Sequence, residues 1–554
     1  MLYNTKQKKC EKTDFDFEVT KMEDTRKAAA LPRAAAPEEV GVLSKEIREF
    51  LHDCNAQGFN MHSFMLVRGG KVAAECNWAP FKSDIPHAMF SFSKGVTGTA
   101  VGFAVSEGLI SLDDKVAKYF PYTGKDEKLR VTNNTVTIRH LITHRSGKKI
   151  SIANNCEKNE WLSNWLSAPF SDKPGEKFFY LSENIYILSR IISKVTGVTL
   201  TEYLTPRLFE PLGIEPPYWE KDHNGYDAGG WGAYFTVEDM TKIGICYLNR
   251  GRYNGKQVIP ERWIDAATTR HIKNIPSVFN EDSGYGFQIF IQSDELGTYS
   301  FNGLYGQFVV VFPKFDAVFA CTAGEPQEDL FMKTLWKHFP AAFTAAVPAE
   351  KNDEAFDSLK KYIDRCENHT PPMGLRKPAI EAQINGKRIA VRRRGAAGIL
   401  GTGNLFMLSQ RSGMIDNFMF FFEKNSLKVL FQEKNSPVDE INVGLEGEYC
   451  YSKIKLSDLT VPVASYGTWL SDNKFKLTII PLSMAQYREF TFTFDPLGNV
   501  RIKSIAKPGF KELFEFYLMF NGTRPNGLLK QACGTVGSAA SLVLDPNFGG
   551  RIKK

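Results

Sequence analysis

The residues best placed to do chemistry are a serine and a lysine three positions apart, Ser91 and Lys94, in the segment FSFSKG. A serine hydroxyl is a poor nucleophile until a neighbouring base removes its proton. Residues three apart on a helix share a face, with Cβ atoms about 5–6 Å apart, so the lysine amine can reach the serine oxygen. Burial lowers the pKa of a lysine and lets it act as that base. The pair therefore predicts a serine nucleophile activated by a lysine.

The S-x-x-K spacing alone is not specific, because chance produces it repeatedly in this chain. Further copies stand at Ser146/Lys149, Ser358/Lys361, Ser452/Lys455, Ser471/Lys474 and Ser504/Lys507. The Ser91 copy differs in its surroundings. Two strands are predicted before it, in SFMLVRGGKVAAEC around a Gly69-Gly70 turn, and a buried helix ending near Gly108 is predicted after it. A serine near the start of that helix also benefits from the positive end of the helix dipole.

A second element of the predicted site is Tyr180, which precedes the periodic segment ENIYILSRIISKVTG. A tyrosine beside a helix start can relay a proton if neighbouring cations depress its pKa from about 10. The alternative is an aromatic side chain that only packs in the core. Tyr186 lies within the periodic helix, so we interpret it as a core residue.

The third element is the segment Asn302-Gly303-Leu304, which leads into the apolar strand FVVVFP. Glycine lets a backbone approach a ligand closely. A strand edge beside the serine can supply a backbone N–H that, together with the N–H of Ser91, binds an oxyanion. We expect Leu304 to be a candidate for that donor, although the segment taken alone is only a turn before a strand.

The elements that must position these residues predict an α/β domain with a largely antiparallel sheet, followed by an all-β accessory domain. A chain of 554 residues is too long for a single core, so two domains are expected. The predicted divisions are a flexible extension over 1–37, the α/β domain over 38–345, a linker over 346–375 and the accessory domain over 376–554. The accessory domain is predicted to begin with a hairpin around Asn385-Gly386.

Composition restricts the partners and the compartment. The formal net charge of +7 is small for this length and its charges are interspersed, so nucleic-acid binding is not expected. Nine scattered cysteines without a C-x-x-C pair predict neither a disulfide framework nor a zinc site, and free thiols fit a reducing compartment. The N-terminus lacks a secretory h-region, and no run of about 18 apolar residues predicts a membrane span. A cytoplasmic protein is expected, and a homo-oligomer remains open.

Seven blocks of sequence together resemble one family. In chain order they are HAMFSFSKGVTGTAVG, EGLISLDDKV, VTIRHLITHRSG, PGEKFFYLSENIYILSRIISKVTG, RLFEPLGI, AGGWGAYFTVEDMTKIGICYLNRG and NGLYGQFVVVFP. Their order is that of class C β-lactamase-like serine hydrolases, which include penicillin-binding-protein-like D-amino-acid peptidases and carboxylesterases. The resemblance covers residues 38 to 345. It implies a β-lactamase/transpeptidase-like fold, with an antiparallel sheet flanked by helices and a helical subdomain.

The resemblance also implies roles. Ser91 resembles the nucleophile and Lys94 its general-base partner, Tyr180 resembles the tyrosine of the family's Y-x-N motif, and Ser182 stands at that motif's third position. The implied reaction is acylation of Ser91 by a small-molecule carbonyl substrate, protonation of the leaving group through Tyr180 and Lys94, and hydrolysis of the acyl-enzyme. Neither a metal nor an organic cofactor is implied.

Two departures from the family pattern affect the expected substrate. The second motif reads Tyr180-Leu181-Ser182, so an amide side chain is missing. The third motif, K-T-G or H-x-G in the family, reads Phe301-Asn302-Gly303. A lysine there would bind a substrate carboxylate by charge-assisted hydrogen bonds, which a phenylalanine cannot form. We therefore expect an esterase, an amidase or another enzyme for uncharged acyl substrates rather than a true β-lactamase.

Two alternatives stay open at this point. The missing cation and the large β domain fit a catalytically degenerate family member that acts as a binding or scaffold protein, with a partner held by residues 376–554. A nucleic-acid-binding protein is the weaker alternative, because it rests only on the modest basic excess.

Overall fold

The computed structural model describes residues 30–149, 161–273, 284–392, 398–399, 414–434, 436–456, 459–509 and 547–553. The predicted N-terminal extension therefore falls mostly outside these ranges. Its described part lies along the first domain, where Arg33 forms ion pairs with Glu75 at 3.0 Å and with Glu238 at 2.8 Å.

The first domain is built on a seven-stranded antiparallel sheet. Its strands are β1 (Met61–Arg68), β2 (Lys71–Asn77), β7 (Gly284–Tyr285), β8 (Phe290–Ser293), β9 (Thr298–Gly303), β10 (Gln307–Phe312) and β11 (Ala317–Ala323). Their order across the sheet is β2-β1-β11-β10-β9-β8-β7. The first and last segments of the domain thus meet at the β1–β11 pair, where Phe64 lies opposite Cys321. The predicted fold class is confirmed in this domain.

Helices cover both faces of the sheet, and a helical subdomain is inserted between β2 and β7. The helices of this domain are α1 (Ser44–Ala56), α2 (Ser93–Ser106), α3 (Glu127–Asn133), α4 (Ile138–Ile142), α5 (Trp161–Ser167), α6 (Ser182–Thr196), α7 (Leu200–Leu204), α8 (Glu210–Leu212), α9 (Val237–Leu248), α10 (Glu261–Ala267) and α11 (Glu328–His338). Four two-residue strands accompany them, β3 (His87–Ala88), β4 (Tyr234–Phe235), β5 (Arg252–Tyr253) and β6 (Lys256–Gln257). None of the described helices is both long and apolar enough to span a bilayer.

Two apolar cores lie on opposite faces of the sheet, because successive residues of a strand point to opposite sides. On one face, Phe50 of α1 and Phe331 of α11 pack on Phe319 of β11 and its neighbours. On the other face, α2 and α9 pack on Val309 and Val318 together with the helical subdomain. The helix α2, which follows Ser91, is almost entirely buried, as its composition predicts.

The accessory domain is a ten-stranded sheet whose described ladders are antiparallel, apart from one parallel bridge. Its strands are β12 (Arg388–Val391), β13 (Ile415–Phe422), β14 (Ser426–Glu433), β15 (Val438–Gly444), β16 (Cys450–Leu456), β17 (Leu459–Ser471), β18 (Lys474–Pro481), β19 (Tyr487–Phe494), β20 (Asn499–Lys507) and β21 (Asn547–Lys553). The sheet curves until β15 meets β17, where Gly444 pairs with Tyr466. Its concave face holds phenylalanines that meet edge to face, such as Phe418, Phe420 and Phe492. The predicted all-β character is confirmed.

The predicted hairpin around Asn385-Gly386 is wrong in its first half. Residues Pro378–Ile384 form the helix α13, and only Arg388–Val391 form a strand. Proline suits the first turn of a helix, where its missing N–H is not needed. The Glu381 carboxylate accepts hydrogen bonds from the Lys377 N–H at 3.0 Å and from Trp469 Nε1 at 2.8 Å. These contacts with a distant tryptophan override the local strand pattern.

The segment between the two domains carries the helix α12 (Asp353–Glu367), which packs on the first domain. Leu359, Tyr362 and Cys366 of this helix are buried against α1 and β2. The Tyr362 hydroxyl accepts a hydrogen bond from Asn55 Nδ2 at 2.7 Å.

Candidate active site

Ser91 lies in the 3-10 turn Phe90–Phe92, directly before α2 begins at Ser93. Its position is held by the pairing of β3 with β4 and by the Met89 N–H, which donates to the Ala233 carbonyl at 2.9 Å. The residue before the serine, Phe90, has φ 48, a left-handed conformation that is uncommon for an aromatic residue. Ser91 itself is partly exposed, so a substrate can reach it.

Lys94 is fully buried beneath the serine. Its Nζ lies 2.7 Å from Ser91 Oγ and donates to the Gly230 carbonyl at 2.6 Å. Burial lowers the pKa of Lys94 to about 7, and the nearby carboxylate of Glu183 opposes that shift. A substantial share of the lysine is therefore an uncharged amine at neutral pH. That is the form able to accept a proton from the serine.

Tyr180 contacts both members of this pair. Its hydroxyl hydrogen-bonds with the Ser91 side chain, and Lys94 Nζ lies 5.0 Å from the centre of its ring. Burial raises the pKa of Tyr180, and the hydrogen bond to Ser91 opposes that shift only in part. The condition of a cation-depressed pKa, named from the sequence, is therefore not met. The residue is therefore a neutral phenol that can donate a proton.

His144 holds the Tyr180 segment in place. Its Nδ1 accepts the Leu181 N–H at 3.1 Å, and Nε2 faces Gln288 Oε1 at 3.1 Å. Its ring lies 4.6 Å from the Tyr180 ring, centre to centre. Burial keeps the pKa of His144 well below its usual value, with a further contribution from Lys94. The neutral imidazole thus acts as a spacer between α4 and the tyrosine.

Ser182 and Gly230 meet at the start of α6. Ser182 is the first residue of that helix and is partly exposed. A Cβ on Gly230 would lie 2.4 Å from the Ser182 carbonyl oxygen, so only glycine lets this loop pass between α6 and Lys94. Gly230 is a site residue that was not predicted from the sequence. The glycine pair in AGGWG was the available signal.

Strand β9 packs closely on the turn that carries Ser91 and on the start of α2. Two glycines allow this close approach, Gly303 in β9 and Gly95 in α2. A Cβ on Gly303 would lie 2.1 Å from the Met89 carbonyl oxygen and 3.2 Å from the Phe92 nitrogen. A Cβ on Gly95 would lie 2.2 Å from the ring of Phe301. The third motif is therefore packed directly against the turn that carries Ser91, as the sequence predicted.

Leu304 lies just beyond the ladder, since the last β9–β10 pair joins Gly303 and Gln307. The turn that follows has positive φ at Tyr305 and Gly306. It is held by the buried carboxylate of Glu328, which accepts the Tyr305 N–H at 2.5 Å. Burial raises the pKa of Glu328 well above its usual value. Nothing in the sequence pattern pointed to this residue, because its role arises only where α11 meets the turn.

Asn302 is placed differently from the other predicted site residues. Its side chain is 6% exposed, and its amide nitrogen and oxygen are sealed from solvent without a hydrogen bond to any residue in the described ranges. Its cross-strand partner is Phe308, which belongs to the core on the α1 and α11 side. Asn302 thus lies beneath the site rather than on its open surface.

The arrangement brings together Ser91, Lys94 and Tyr180, with Ser182 and the Gly303-Leu304 segment around them. A hydroxyl in contact with an amine of near-neutral pKa and with a neutral phenol is suited to nucleophilic attack followed by proton transfer. Within the described ranges, no group of three or more His, Cys, Asp or Glu side chains is arranged to hold a metal ion.

The sheet with its inserted helical subdomain, and a serine–lysine–tyrosine cluster at the start of a buried helix, define a β-lactamase-like protein. The chain belongs to the β-lactamase family, whose model matches residues 43–334.

Among characterised proteins, the chain is similar to the 6-aminohexanoate-dimer hydrolase of Paenarthrobacter ureafaciens. The two are 26% identical over 294 residues, which is 48% of this chain and 73% of the relative. Among solved structures, the penicillin-binding protein from Bacillus halodurans is 19% identical with a TM-score of 0.43, and covers 52% of this chain and 99% of its own. A family VIII carboxylesterase is 15% identical with a TM-score of 0.44, and covers 56% of this chain and 99% of its own.

Proposed function

We propose that the protein hydrolyses an ester or amide bond through an acyl-enzyme on Ser91, with Lys94 as the general base. The observation that carries this proposal is the 2.7 Å contact between Lys94 Nζ and Ser91 Oγ, made by a lysine whose pKa burial lowers to about 7. A serine beside an uncharged amine is an activated nucleophile at neutral pH.

The proposed reaction begins when Ser91 Oγ attacks the substrate carbonyl and its proton passes to Lys94 Nζ. The tetrahedral oxyanion is bound by the backbone N–H groups of Ser91 and Leu304. When the bond to the leaving group breaks, the Tyr180 hydroxyl gives its proton to the departing oxygen or nitrogen and is reprotonated from Lys94. Water then attacks the acyl carbonyl by the same steps in reverse order, which restores Ser91.

Two observations support an uncharged ester or amide over a β-lactam as the substrate. Phe301 replaces the cation of the third motif, and its ring packs on Gly95 of α2, so it offers no charge to a carboxylate next to the scissile bond. The 6-aminohexanoate-dimer hydrolase, to which this chain is similar, is named for a substrate of the amide type. We therefore infer that linear amides and esters are preferred.

Mass spectrometry of the intact protein tests the proposal. The protein is exposed to a fluorophosphonate, to p-nitrophenyl acetate, to linear amides and to a panel of β-lactams. We expect one adduct on Ser91, and none in Ser91→Ala. The matched control is Ser471→Ala, because Ser471 has the same spacing to Lys474 but is exposed on the accessory domain. This control should label like the wild type.

A folded wild-type protein that forms no adduct with any of these compounds would contradict the proposal and favour the alternative of a binding or scaffold protein. Labelling that persists in Ser91→Ala would contradict the assignment of the nucleophile.

A further inference from the structure

The loop Leu482–Gln486 joins β18 to β19 of the accessory domain, yet every residue in it is buried. Their exposed fractions run from 1% at Ala485 to 6% at Ser483. Loops between strands normally lie on the surface, because their backbone groups need water or other partners. Met484 is buried in the core of the accessory domain itself. Ser483 and Ala485 lie instead against the first domain, beside the turn that carries Ser91.

Three contacts fasten the loop to the first domain. The Ala88 N–H donates to the Ser483 carbonyl at 2.8 Å. The His87 ring hydrogen-bonds to the backbone of Met484. A Cβ on Gly324 would lie 2.2 Å from the Ala485 carbonyl oxygen, so the loop comes closer to the end of β11 than any residue but glycine allows.

The same loop contributes to a small apolar cluster at the site. Ala485 packs with Ala88, Phe90, Tyr234 and Tyr305, and Leu304 lies against this group. The rings of Phe90 and Tyr305 meet edge to face, with centres 5.7 Å apart. The cluster thus joins the turn before Ser91 to the turn after Gly303.

Both of these turns are strained where they meet. Phe90 has φ 48 and Tyr305 has φ 66, and neither is a glycine. Such a backbone is unfavourable for a non-glycine residue and persists only where the surroundings impose it. Ala485 belongs to the same buried cluster as both side chains, so its loop is part of those surroundings.

We propose that the loop Leu482–Gln486 is a positioning element for the oxyanion hole, through which the accessory domain is required for turnover. This inference rests on the proposed function. The two proposed oxyanion donors are the N–H groups of Ser91 and Leu304, which directly adjoin Phe90 and Tyr305. Misplacement of a donor by about 1 Å costs roughly a hundredfold in rate. A loop that only tied the domains together would affect stability instead.

Paired substitutions in the full-length protein separate these two roles. Gly324→Ala pushes on the Ala485 carbonyl from the first domain. Its matched control is Gly549→Ala in β21, where an added Cβ has no atom within 4 Å. Within the loop, Ala485→Leu overfills the cluster, and Ala485→Ser nearly preserves its volume.

Three readouts are compared for each variant that unfolds within a few degrees of the wild type. These are kcat and KM for a neutral ester, and the inhibition constant of phenylboronic acid, whose adduct with a serine places a hydroxyl in the oxyanion hole. For Gly324→Ala and Ala485→Leu we expect kcat to fall about 10- to 100-fold and KM to change less than about twofold. The inhibition constant of phenylboronic acid should increase by a similar factor, because its binding is weakened. Gly549→Ala should match the wild type.

Wild-type kcat and boronate binding in folded Gly324→Ala and Ala485→Leu would overturn the positioning role while leaving the proposed function intact. A loss confined to KM or to stability would also overturn it. A wild-type protein that neither hydrolyses esters nor binds the boronic acid would instead refute the proposed function. If both variants fail to fold, the positioning role is tested instead by hydrogen exchange at the amides of residues 304–306 in Ala485→Ser and Ala485→Gly. Faster exchange only in Ala485→Gly supports the proposal, and equal exchange in both contradicts it.

Discussion

The protonation of Lys94 should make the rate of hydrolysis depend on pH. Burial lowers the pKa of this lysine from 10.5 to about 7. With an ordinary pKa, only about one lysine in 3,000 would be an uncharged amine at pH 7, whereas with a pKa of about 7 about half are. The buried position thus increases the active fraction of the base by about a thousandfold.

Because acylation needs the uncharged amine, kcat/KM for a non-ionising ester should rise with pH through about 7 and level off above it. At pH 6 the rate should be about a tenth of the plateau. Glu183→Gln should move the midpoint to lower pH, because the Glu183 carboxylate stabilises the lysine ammonium. The assay is steady-state hydrolysis of p-nitrophenyl acetate between pH 5.5 and 9, with correction for uncatalysed hydrolysis.

The control for this profile is another buried lysine. Burial also lowers the pKa of Lys148 to about 7, but this residue donates to the carbonyls of Trp165, Leu166 and Ala168, away from the serine. In whatever fraction of the Lys148→Met protein folds, the midpoint of the pH profile of kcat/KM should be the same as in the wild type. A profile that is flat between pH 5.5 and 9, or a midpoint that moves with Lys148 and not with Glu183, would refute the assignment of Lys94 as the base.

Further predictions concern stability and the oxyanion turn. Lys94→Met should raise the free energy of unfolding by about 1–4 kcal/mol at pH 7, since the unfolded chain binds a proton that the folded state disfavours. Between pH 7 and 10.5 the folded lysine has lost its proton while the unfolded lysine still holds one, so wild-type stability rises with pH over this range. The gain in Lys94→Met should therefore fade over the same range in urea titrations, and a pH-independent gain would contradict it. Gly303→Ala should lower the free energy of unfolding by about 1–3 kcal/mol and reduce turnover, because its Cβ meets the Met89 carbonyl. Unchanged denaturation and kinetics would show that the turn carrying Ser91 can move aside. Glu328→Ala should lower kcat more than it changes KM. Glu328→Gln should retain activity, because its amide oxygen can still accept the Tyr305 N–H. Equal losses of activity in the two variants would argue against a role for that hydrogen bond.

The sequence predicts the parts of the site that depend on local spacing. Ser91 and Lys94 lie one helical turn apart, and that turn forms because α2 is apolar on nearly every side. The glycine of the third motif, Gly303, could also be predicted from the sequence, because only a residue without a side chain fits against the turn that carries Ser91. The two sheets follow from alternating apolar residues and turn signals.

The rest depends on contacts between distant segments, which a single sequence does not display. Gly230 and Glu328 acquire their roles only when a loop and a helix fold onto the site. The direction of the pKa shift at Tyr180 depends on its burial, which outweighs the opposing hydrogen bond to Ser91. The helix at Pro378–Ile384 forms where strands were predicted, because Glu381 is bound by Trp469 of another strand.

The pairing of β1 with β11 has a consequence for synthesis of the chain. Ser63 of β1 hydrogen-bonds to Thr322 of β11, 259 positions later, at 2.7 Å. The strand β1 can pair with β2 as soon as that strand has been made, but its second partner, β11, follows only after most of the first domain has left the ribosome. Contacts so far apart in sequence form late and slowly. A nascent chain already carries the proposed nucleophile long before the strands that would complete the proposed site exist, so an interrupted translation product should be inert.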